Sequence, residues 1–264
     1  MYSHHEESIQ KLKAYFLERE KPVAIILGGS VVKGNARVDS DIDAMIVVSE
    51  ARYQELAAQN RLAEVITGHC TYEGGYFDIK YKTKESLRQT AEHGSEPARS
   101  AYEKAQVIYS EDNEIATLVK SIAAYPVWEK ERKLKCFNAN LQLNYGYFLH
   151  CTGEDNAYMR AHLAAEIVYS VYRLILLENE VLFPCNRRLE ETVKKCKKRP
   201  KDILDRGAKL LKEITLEHAE AFVEEFIKES GLAIERDVSI NCSNYVEYYE
   251  EWWRKERPSF PNEW

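Results

Sequence analysis

The feature that most constrains this 264-residue chain is a polar segment between two short apolar runs. The first run, Val23–Leu27, ends in Gly28-Gly29-Ser30, and the second, Ala44–Val48, follows directly on Asp41-Ile42-Asp43. Short apolar runs bounded by small and acidic residues are typical of buried strands. We therefore predict a strand on each side of the segment and a short helix over residues 30–36 between them.

The two aspartates of this segment indicate a metal site. Side chains alternate along a strand, so Asp41 and Asp43 share one face while Ile42 enters the core. Two carboxylates this close repel each other unless a cation lies between them. Mg²⁺ prefers carboxylate oxygens and keeps positions for water and phosphate. The sequence thus predicts that Asp41 and Asp43 hold a divalent cation.

A third carboxylate, Asp78, lies in a further predicted strand, Gly75–Lys82, between Phe77 and Ile79. Aspartate is disfavoured inside strands, so we interpret this position as functional; the alternative is an edge-strand aspartate that faces water. We predict Asp78 as a metal ligand and as a candidate general base. Two metal ions in such a site can clamp the attacking and leaving oxygens of a displacement.

The glycine-rich turn indicates a phosphate site. Glycine lets a phosphate approach the main chain, and Ser30 offers a hydroxyl and an N–H at a predicted helix start. The predicted nucleotide-binding residues are Gly29, Ser30, Lys33, Ser40 and Lys80. For the two lysines the alternative is a solvated surface charge. Ser40 can also shape the turn through hydrogen bonds to the backbone.

These motifs carry a family resemblance. The Gly29-Ser30 pair, the Asp41-x-Asp43 pattern and the later carboxylate Asp78 resemble the polymerase-β-type nucleotidyltransferase superfamily. The helical second half and the segment Leu177–Leu189 resemble bacterial aminoglycoside and lincosamide nucleotidyltransferases. The resemblance implies two Mg²⁺ ions and transfer of a nucleoside monophosphate, with ATP as the expected donor. The expected acceptor is a hydroxyl of a small molecule such as an antibiotic, and the implied role is antibiotic resistance.

The predicted fold is α+β, with a mixed sheet and flanking helices followed by an α-helical bundle. We predict a catalytic domain over residues 1–125 and an acceptor-binding helical domain over residues 126–264, with the acceptor between them. The first domain has predicted helices over 6–20, 51–66 and 84–93, a loop over 94–97 and an edge strand over 107–109. Predicted helices of the second domain cover 127–151, 156–180, 188–198, 201–211, 215–230 and 245–255.

Composition limits the alternatives. The net charge of −6 weighs against a protein that coats nucleic acid, so a nucleic-acid acceptor stays open but disfavoured. The basic run Lys194–Lys201 fits a patch for RNA less well than a helix end whose lysines complement the dipole. The sequence has no apolar run of the ~18 residues that span a bilayer. Its six scattered cysteines are typical of reduced thiols, and the expected location is the cytoplasm.

Several points stay open at this stage. A toxin-type transferase acting on RNA or protein and a non-catalytic nucleotide sensor are the rival functions. A helical stripe of His162, Glu166, Tyr169 and Arg173 either offers an acceptor-binding carboxylate in Glu166 or is a solvated face, and we favour the solvated face. The chain is either a monomer or a homodimer.

Overall fold

The structure, a computed structural model, describes residues 1–254 and residue 260. It forms two compact units, one over residues 1–124 and one from residue 125 onward. The first unit contains a sheet with helices on both faces, and the second is helical. Across the described residues, no helix combines the length and apolarity that crossing a membrane requires.

The sheet of the first unit has five strands in the order β3-β4-β2-β1-β5. Their bounds are β1 Ala24–Leu27, β2 Ile42–Val47, β3 Ala63–Thr67, β4 Tyr76–Lys82 and β5 Gln106–Ser110. Strands β2 and β4 are parallel, and the other neighbours are antiparallel. The mixed sheet confirms the predicted α+β class, and β5 confirms the predicted edge strand.

Helices cover both faces of the sheet because alternate residues of the central strands are apolar on both sides. The helices of this unit are α1 Ser3–Arg19, α2 Gly29–Lys33, α3 Glu50–Ala58, α4 Lys84–His93, α5 Glu96–Ser100 and α6 Glu114–Ala123. One core layer joins Leu12 and Phe16 of α1 to Ile46 and Ile79. The other joins Met45 and Val47 to Leu87, Ile115 and Ile122.

Two predictions for this unit are wrong. The helix predicted over 51–66 ends at Ala58, because Asn60 adopts a left-handed conformation with φ 55°. The chain then forms β3, whose residues alternate between exposed and half-buried and pair antiparallel with β4. The loop predicted over 94–97 is partly helical: Ser95 accepts a hydrogen bond from Ala98 N and caps α5.

The second unit is built around a long helix, α9. Its helices are α7 Lys130–Leu143, α8 Leu149–Cys151, α9 Ala157–Asn179, α10 Leu189–Lys195, α11 Ile203–Lys212, α12 Leu216–Glu229 and α13 Val238–Tyr245. Leu163, Ile167, Val171 and Leu174 of α9 are buried in one core that includes residues of α7, α10, α11 and α12. The second unit thus has its own hydrophobic core.

Predicted helices of the second unit are present with shifted bounds. The helix predicted over 127–151 is interrupted by a π-helical segment, Asn144–Phe148. The helix predicted over 245–255 is instead α13 followed by a π-helical segment, Val246–Glu250, and a 3₁₀ turn, Trp252–Arg254. Residue 255 of that prediction lies outside the described residues.

Candidate active site

The three predicted metal-binding aspartates lie together at one end of the sheet. Parallel pairing of β2 with β4 places Asp43 directly beside Asp78, and Asp41 immediately precedes β2. One carboxylate oxygen from each of the three residues lies within 4.8 Å of the others. The pairing of β2 with β4 thus brings Asp78 beside Asp43 and Asp41, which lie 35 and 37 positions earlier in the sequence.

Alternation along both strands explains why these carboxylates emerge side by side. Ile42, Phe77 and Ile79 are at most 1% exposed and fill the core. Their neighbours Asp43 and Asp78 point to the opposite face and are half-buried. The apolar side chains fix the strand register, and the register fixes the carboxylates.

A glycine turn lies against this cluster. Gly28 N donates a hydrogen bond to Asp43 O at 3.0 Å, which holds the turn beside β2. Gly29 has φ +67°, and a Cβ at this position would overlap the Asp43 carboxylate. Both the backbone conformation and the close approach of Asp43 therefore require glycine at position 29.

The electrostatics of the cluster favour a bound cation. Burial, followed by the negative charges of Asp41 and Asp78, raises the pKa of Asp43 to about 6, against a weaker opposing effect of Lys80 and Lys33. A divalent cation would offset the repulsion that raises this pKa. Three carboxylates with oxygens this close are a donor set that suits Mg²⁺.

The predicted nucleotide-binding residues surround the cluster in different ways. Ser30 is half-buried in the first turn of α2, and Lys80 is exposed on the same strand face as Asp78. The Lys33 ammonium donates to Ser100 O at 2.8 Å and forms an ion pair with Glu103. The Ser40 hydroxyl accepts from Arg37 N at 2.8 Å, so it does shape the turn. Their roles toward a nucleotide stay predictions.

Two tyrosines that the sequence did not single out border Asp41. The negative charge of Asp41, together with a hydrogen bond to it, raises the pKa of Tyr76. The Tyr72 hydroxyl donates to Ser40 O at 2.5 Å. Tyr76 was detectable in principle, because residues i and i+2 of a strand share a face and Tyr76 precedes Asp78 by two. Tyr72 lies in a loop and has no periodicity to reveal it.

The second unit contains a cavity of about 390 Å³ beside α9. Its polar lining residues are Glu166, Tyr169, Tyr172, Asn186, Arg187 and Glu190. A buried network holds Glu166, since Asn140 Nδ2 donates to its carboxylate at 2.8 Å and to Ser170 Oγ at 2.9 Å. The cavity therefore presents a fixed carboxylate.

The interpretation of the α9 stripe as a solvated face is wrong for its inner part. Arg173 is 2% exposed, and its guanidinium carbon lies 4.1 Å from the Phe183 ring centroid and 4.4 Å from that of Phe137. Glu166 is half-buried and lines the cavity. Only His162 is exposed, stacked on Tyr158. The aromatic residues around Arg173 are distant in sequence, so helical periodicity alone could not show its burial.

The fold and this acidic cluster define a class of nucleotide-handling enzyme, and comparison with known proteins identifies it. Residues 9–127 match the family profile of the nucleotidyltransferase domain. This region includes the glycine turn and all three aspartates. Residues 9–127 thus form a nucleotidyltransferase domain, as the motifs predicted.

Solved structures similar to this chain include two with related descriptions. A nucleotidyltransferase-like protein from Exiguobacterium sibiricum is 12% identical, with a TM-score of 0.46, over 96% of this chain and 81% of that chain. Spectinomycin adenyltransferase AAD(9) from Enterococcus faecialis, solved with ATP and spectinomycin, is 16% identical, with a TM-score of 0.28, over 95% of this chain and 99% of that chain. No curated protein sequence matches this chain significantly.

Proposed function

We propose that this enzyme transfers a nucleoside monophosphate from ATP to a hydroxyl of a small-molecule acceptor, with Mg²⁺ as cofactor. The observation that carries the proposal is the convergence of Asp41, Asp43 and Asp78, with one oxygen of each within 4.8 Å of the others. The glycine turn lies directly against the Asp43 carboxylate, which places its main chain beside the cluster. The cluster of three aspartates thus fits the proposed nucleotidyl transfer.

The three aspartates are the proposed ligands of two Mg²⁺ ions. Their chemistry suits hard cations, and the raised pKa of Asp43 reflects a repulsion that bound cations would relieve. When bound, such ions would neutralise charge on the attacking and leaving oxygens of the displacement.

The protein's own residues supply position and a proton acceptor. Gly29 and Ser30 hold the triphosphate through the main chain and the hydroxyl, with Lys80 beside the leaving group. The acceptor oxygen forms a bond to the α-phosphorus while the bond from this phosphorus to the bridging oxygen breaks. The electron pair leaves with pyrophosphate, and Asp78 takes the proton of the acceptor hydroxyl as general base.

The cavity in the second unit is the proposed acceptor site. A volume of about 390 Å³ suits a ligand of one or two rings. Glu166 and Glu190 offer carboxylates to amino groups, and Tyr169 and Asn186 offer hydrogen bonds to hydroxyls. These groups favour an aminoglycoside or a lincosamide, and hence a role in antibiotic resistance. The six cysteines are all free, which fits the proposed location in the cytoplasm.

The test is acceptor-dependent release of pyrophosphate from ATP and Mg²⁺, with aminoglycosides, lincosamides, tRNA and protein as separate acceptors. We expect turnover with an antibiotic, and a loss of at least about 10³-fold in Asp41→Asn and Asp78→Asn, since each removes stabilisation of the transition state. Asp39→Asn is the matched control, because Asp39 is exposed and pairs only with Arg37 among the described residues.

Other outcomes would assign a different function. Full turnover in Asp41→Asn would contradict the proposed site. Nucleotide binding without pyrophosphate release from any acceptor would support a sensor. Turnover on tRNA or protein alone would support a toxin-type transferase.

A further inference from the structure

We propose that His4 and Tyr72 are positioning residues that hold Asp41 in the acidic cluster and thereby set its affinity for metal. This inference rests on the proposed function of the aspartates. His4 belongs to the first turn of α1, and Tyr72 belongs to the loop between β3 and β4. We call these two residues, with Ser8 and Thr71, the N-terminal latch.

Both rings of the latch bind the main chain just before Asp41. His4 Nε2 lies 2.9 Å from Val38 O, and the Tyr72 hydroxyl donates to Ser40 O at 2.5 Å. The Ser40 carbonyl belongs to the peptide bond that joins Ser40 to Asp41. Tyr72 therefore fixes the orientation of the peptide plane from which Asp41 extends.

The latch is itself held in place from two sides. The His4 and Tyr72 ring centroids are 4.6 Å apart, and the fully buried His5 ring lies 5.1 Å from Tyr72. Thr71 N donates to Ser8 Oγ at 3.0 Å, and Thr71 Oγ1 donates to His4 O at 3.0 Å. These contacts bind the loop between β3 and β4 to α1, so the Tyr72 hydroxyl cannot move independently of the helix.

Asp41 needs such support because its own backbone lies outside the sheet, which reaches its side chain through the Tyr76 hydroxyl of β4. Strand β2 begins at Ile42, one residue later, and the preceding residues 37–39 are exposed. Asp43 and Asp78 repel the Asp41 carboxylate and favour its displacement from the cluster when no cation is bound. By fixing the backbone on the other side of Asp41, the latch keeps the carboxylate in place for metal binding. Partners that orient metal ligands are typically worth 10–100-fold in affinity.

The test compares Tyr72→Phe and His4→Phe with the native chain in Mn²⁺ titrations followed by electron paramagnetic resonance. Both variants keep an aromatic ring and lose the contact to the main chain. We expect Mn²⁺ binding weakened about tenfold in Tyr72→Phe. In turnover assays the Mg²⁺ concentration for half-maximal rate should rise by a similar factor, while kcat at saturating Mg²⁺ recovers. If these residues only stabilised the fold, saturating Mg²⁺ would not restore kcat in the variants.

Tyr109→Phe is the matched control. This substitution also removes a tyrosine hydroxyl that donates a hydrogen bond, here to Glu111 Oε1 at 2.6 Å. Tyr109, however, lies on β5 and not beside Asp41. Its Mn²⁺ affinity should equal that of the native chain.

The results separate this inference from the proposed function. Native Mn²⁺ affinity in both latch variants, with affinity lost in Asp41→Asn, would overturn the latch alone. Native affinity and turnover in Asp41→Asn would overturn the proposed site. If Tyr72→Phe fails to fold, His4→Phe decides, and unchanged Mn²⁺ affinity there overturns the latch.

Discussion

At the scale of single residues, the proposed function requires a carboxylate at Asp43 that lowers the stability of the metal-free protein when it is ionised. It is half-buried beside two other carboxylates, and its pKa is raised to about 6. The folded protein therefore binds a proton at this residue more tightly than the unfolded chain does. The stability that this proton provides is present at low pH and is lost as the pH rises through about 6.

Asp43→Asn should accordingly stabilise the metal-free protein at pH 7.5. Removing the ionised carboxylate should raise the free energy of unfolding by about 1–3 kcal/mol, and this gain should shrink toward zero near pH 4. Urea unfolding in the presence of EDTA at both pH values measures the difference. Asp39→Asn should show no such gain, and an Asp43→Asn protein less stable than the native chain at pH 7.5 would contradict the assignment.

Gly29 is the second such residue, because its surroundings require a glycine at this position. Gly29→Ala should abolish nucleotidyl transfer, because the added Cβ overlaps the Asp43 carboxylate and must displace it. Gly34→Ala is the matched control: Gly34 also has positive φ, at +81°, but a Cβ there meets nothing within 4 Å. We expect Gly34→Ala to cost about 1 kcal/mol of stability and to keep its activity. Equal activity in the two variants, measured by pyrophosphate release, would exclude the close approach at Gly29.

At the scale of secondary-structure elements, an ionic network joins α1 and α3 to the edge of the sheet. The Glu20 carboxylate, 1% exposed at the end of α1, binds Arg19 at 3.0 Å and Arg52 of α3 at 2.8 Å. Glu64 of β3 binds Arg19 at 3.0 Å and accepts from the Tyr81 hydroxyl of β4 at 3.1 Å. The network thus holds the edge strand that supports β4 and Asp78.

Glu20→Gln should lower the free energy of unfolding by about 2–3 kcal/mol, because it leaves two guanidinium groups beside a neutral buried amide. Glu55→Gln is the control, since Glu55 binds the same Arg52 but is 61% exposed, and it should cost less than about 0.5 kcal/mol. Urea unfolding of both variants gives the comparison. Equal losses of unfolding free energy in the two variants would show that the burial of Glu20 does not add to its contribution to stability.

The first unit also shows which helices and strands the sequence could predict. Strands β1 and β4 and helix α4 have strong periodicity or apolar runs, and their predicted bounds agree with the structure to within one residue. Strand β3 was predicted as the end of a helix, because Glu64 and Val65 follow helix-forming residues without Gly or Pro to interrupt them. Its strand conformation depends on pairing with β4, which no local signal encodes.

The candidate site was predictable to a similar degree. Asp41 and Asp43 are two residues apart, and the strand pattern predicted that both carboxylates emerge together, although Asp41 itself lies just before β2. The contact of Asp78 with Asp43 could be proposed from residue type, but the register that makes it depends on the parallel pairing of β2 and β4. Tyr72 lies in a loop and His4 in α1, and no sequence periodicity reveals that both contact the main chain before Asp41.

At the scale of the whole molecule, the two units divide the proposed chemistry. The three aspartates and the glycine turn belong to the first unit, and the cavity with Glu166 belongs to the second. Each unit has its own hydrophobic core, so a substitution in one site need not perturb the core beneath the other. Nucleotide binding and acceptor binding should therefore be separable by point substitutions in the full chain.

Glu166→Gln should weaken binding of an aminoglycoside, used as an amine-bearing probe of the proposed acceptor site, by about 10–100-fold, because a charged hydrogen bond contributes about 1.5–3 kcal/mol. The affinity for ATP with Mg²⁺ should not change, and Asp41→Asn should show the reverse pattern. Isothermal titration calorimetry of each variant with each ligand measures both effects. Glu191→Gln is the control, because Glu191 is not among the cavity-lining residues and instead binds Arg188 and Lys195. If the native chain binds the probe and Glu166→Gln binds it equally well, the acceptor site lies elsewhere than in this cavity.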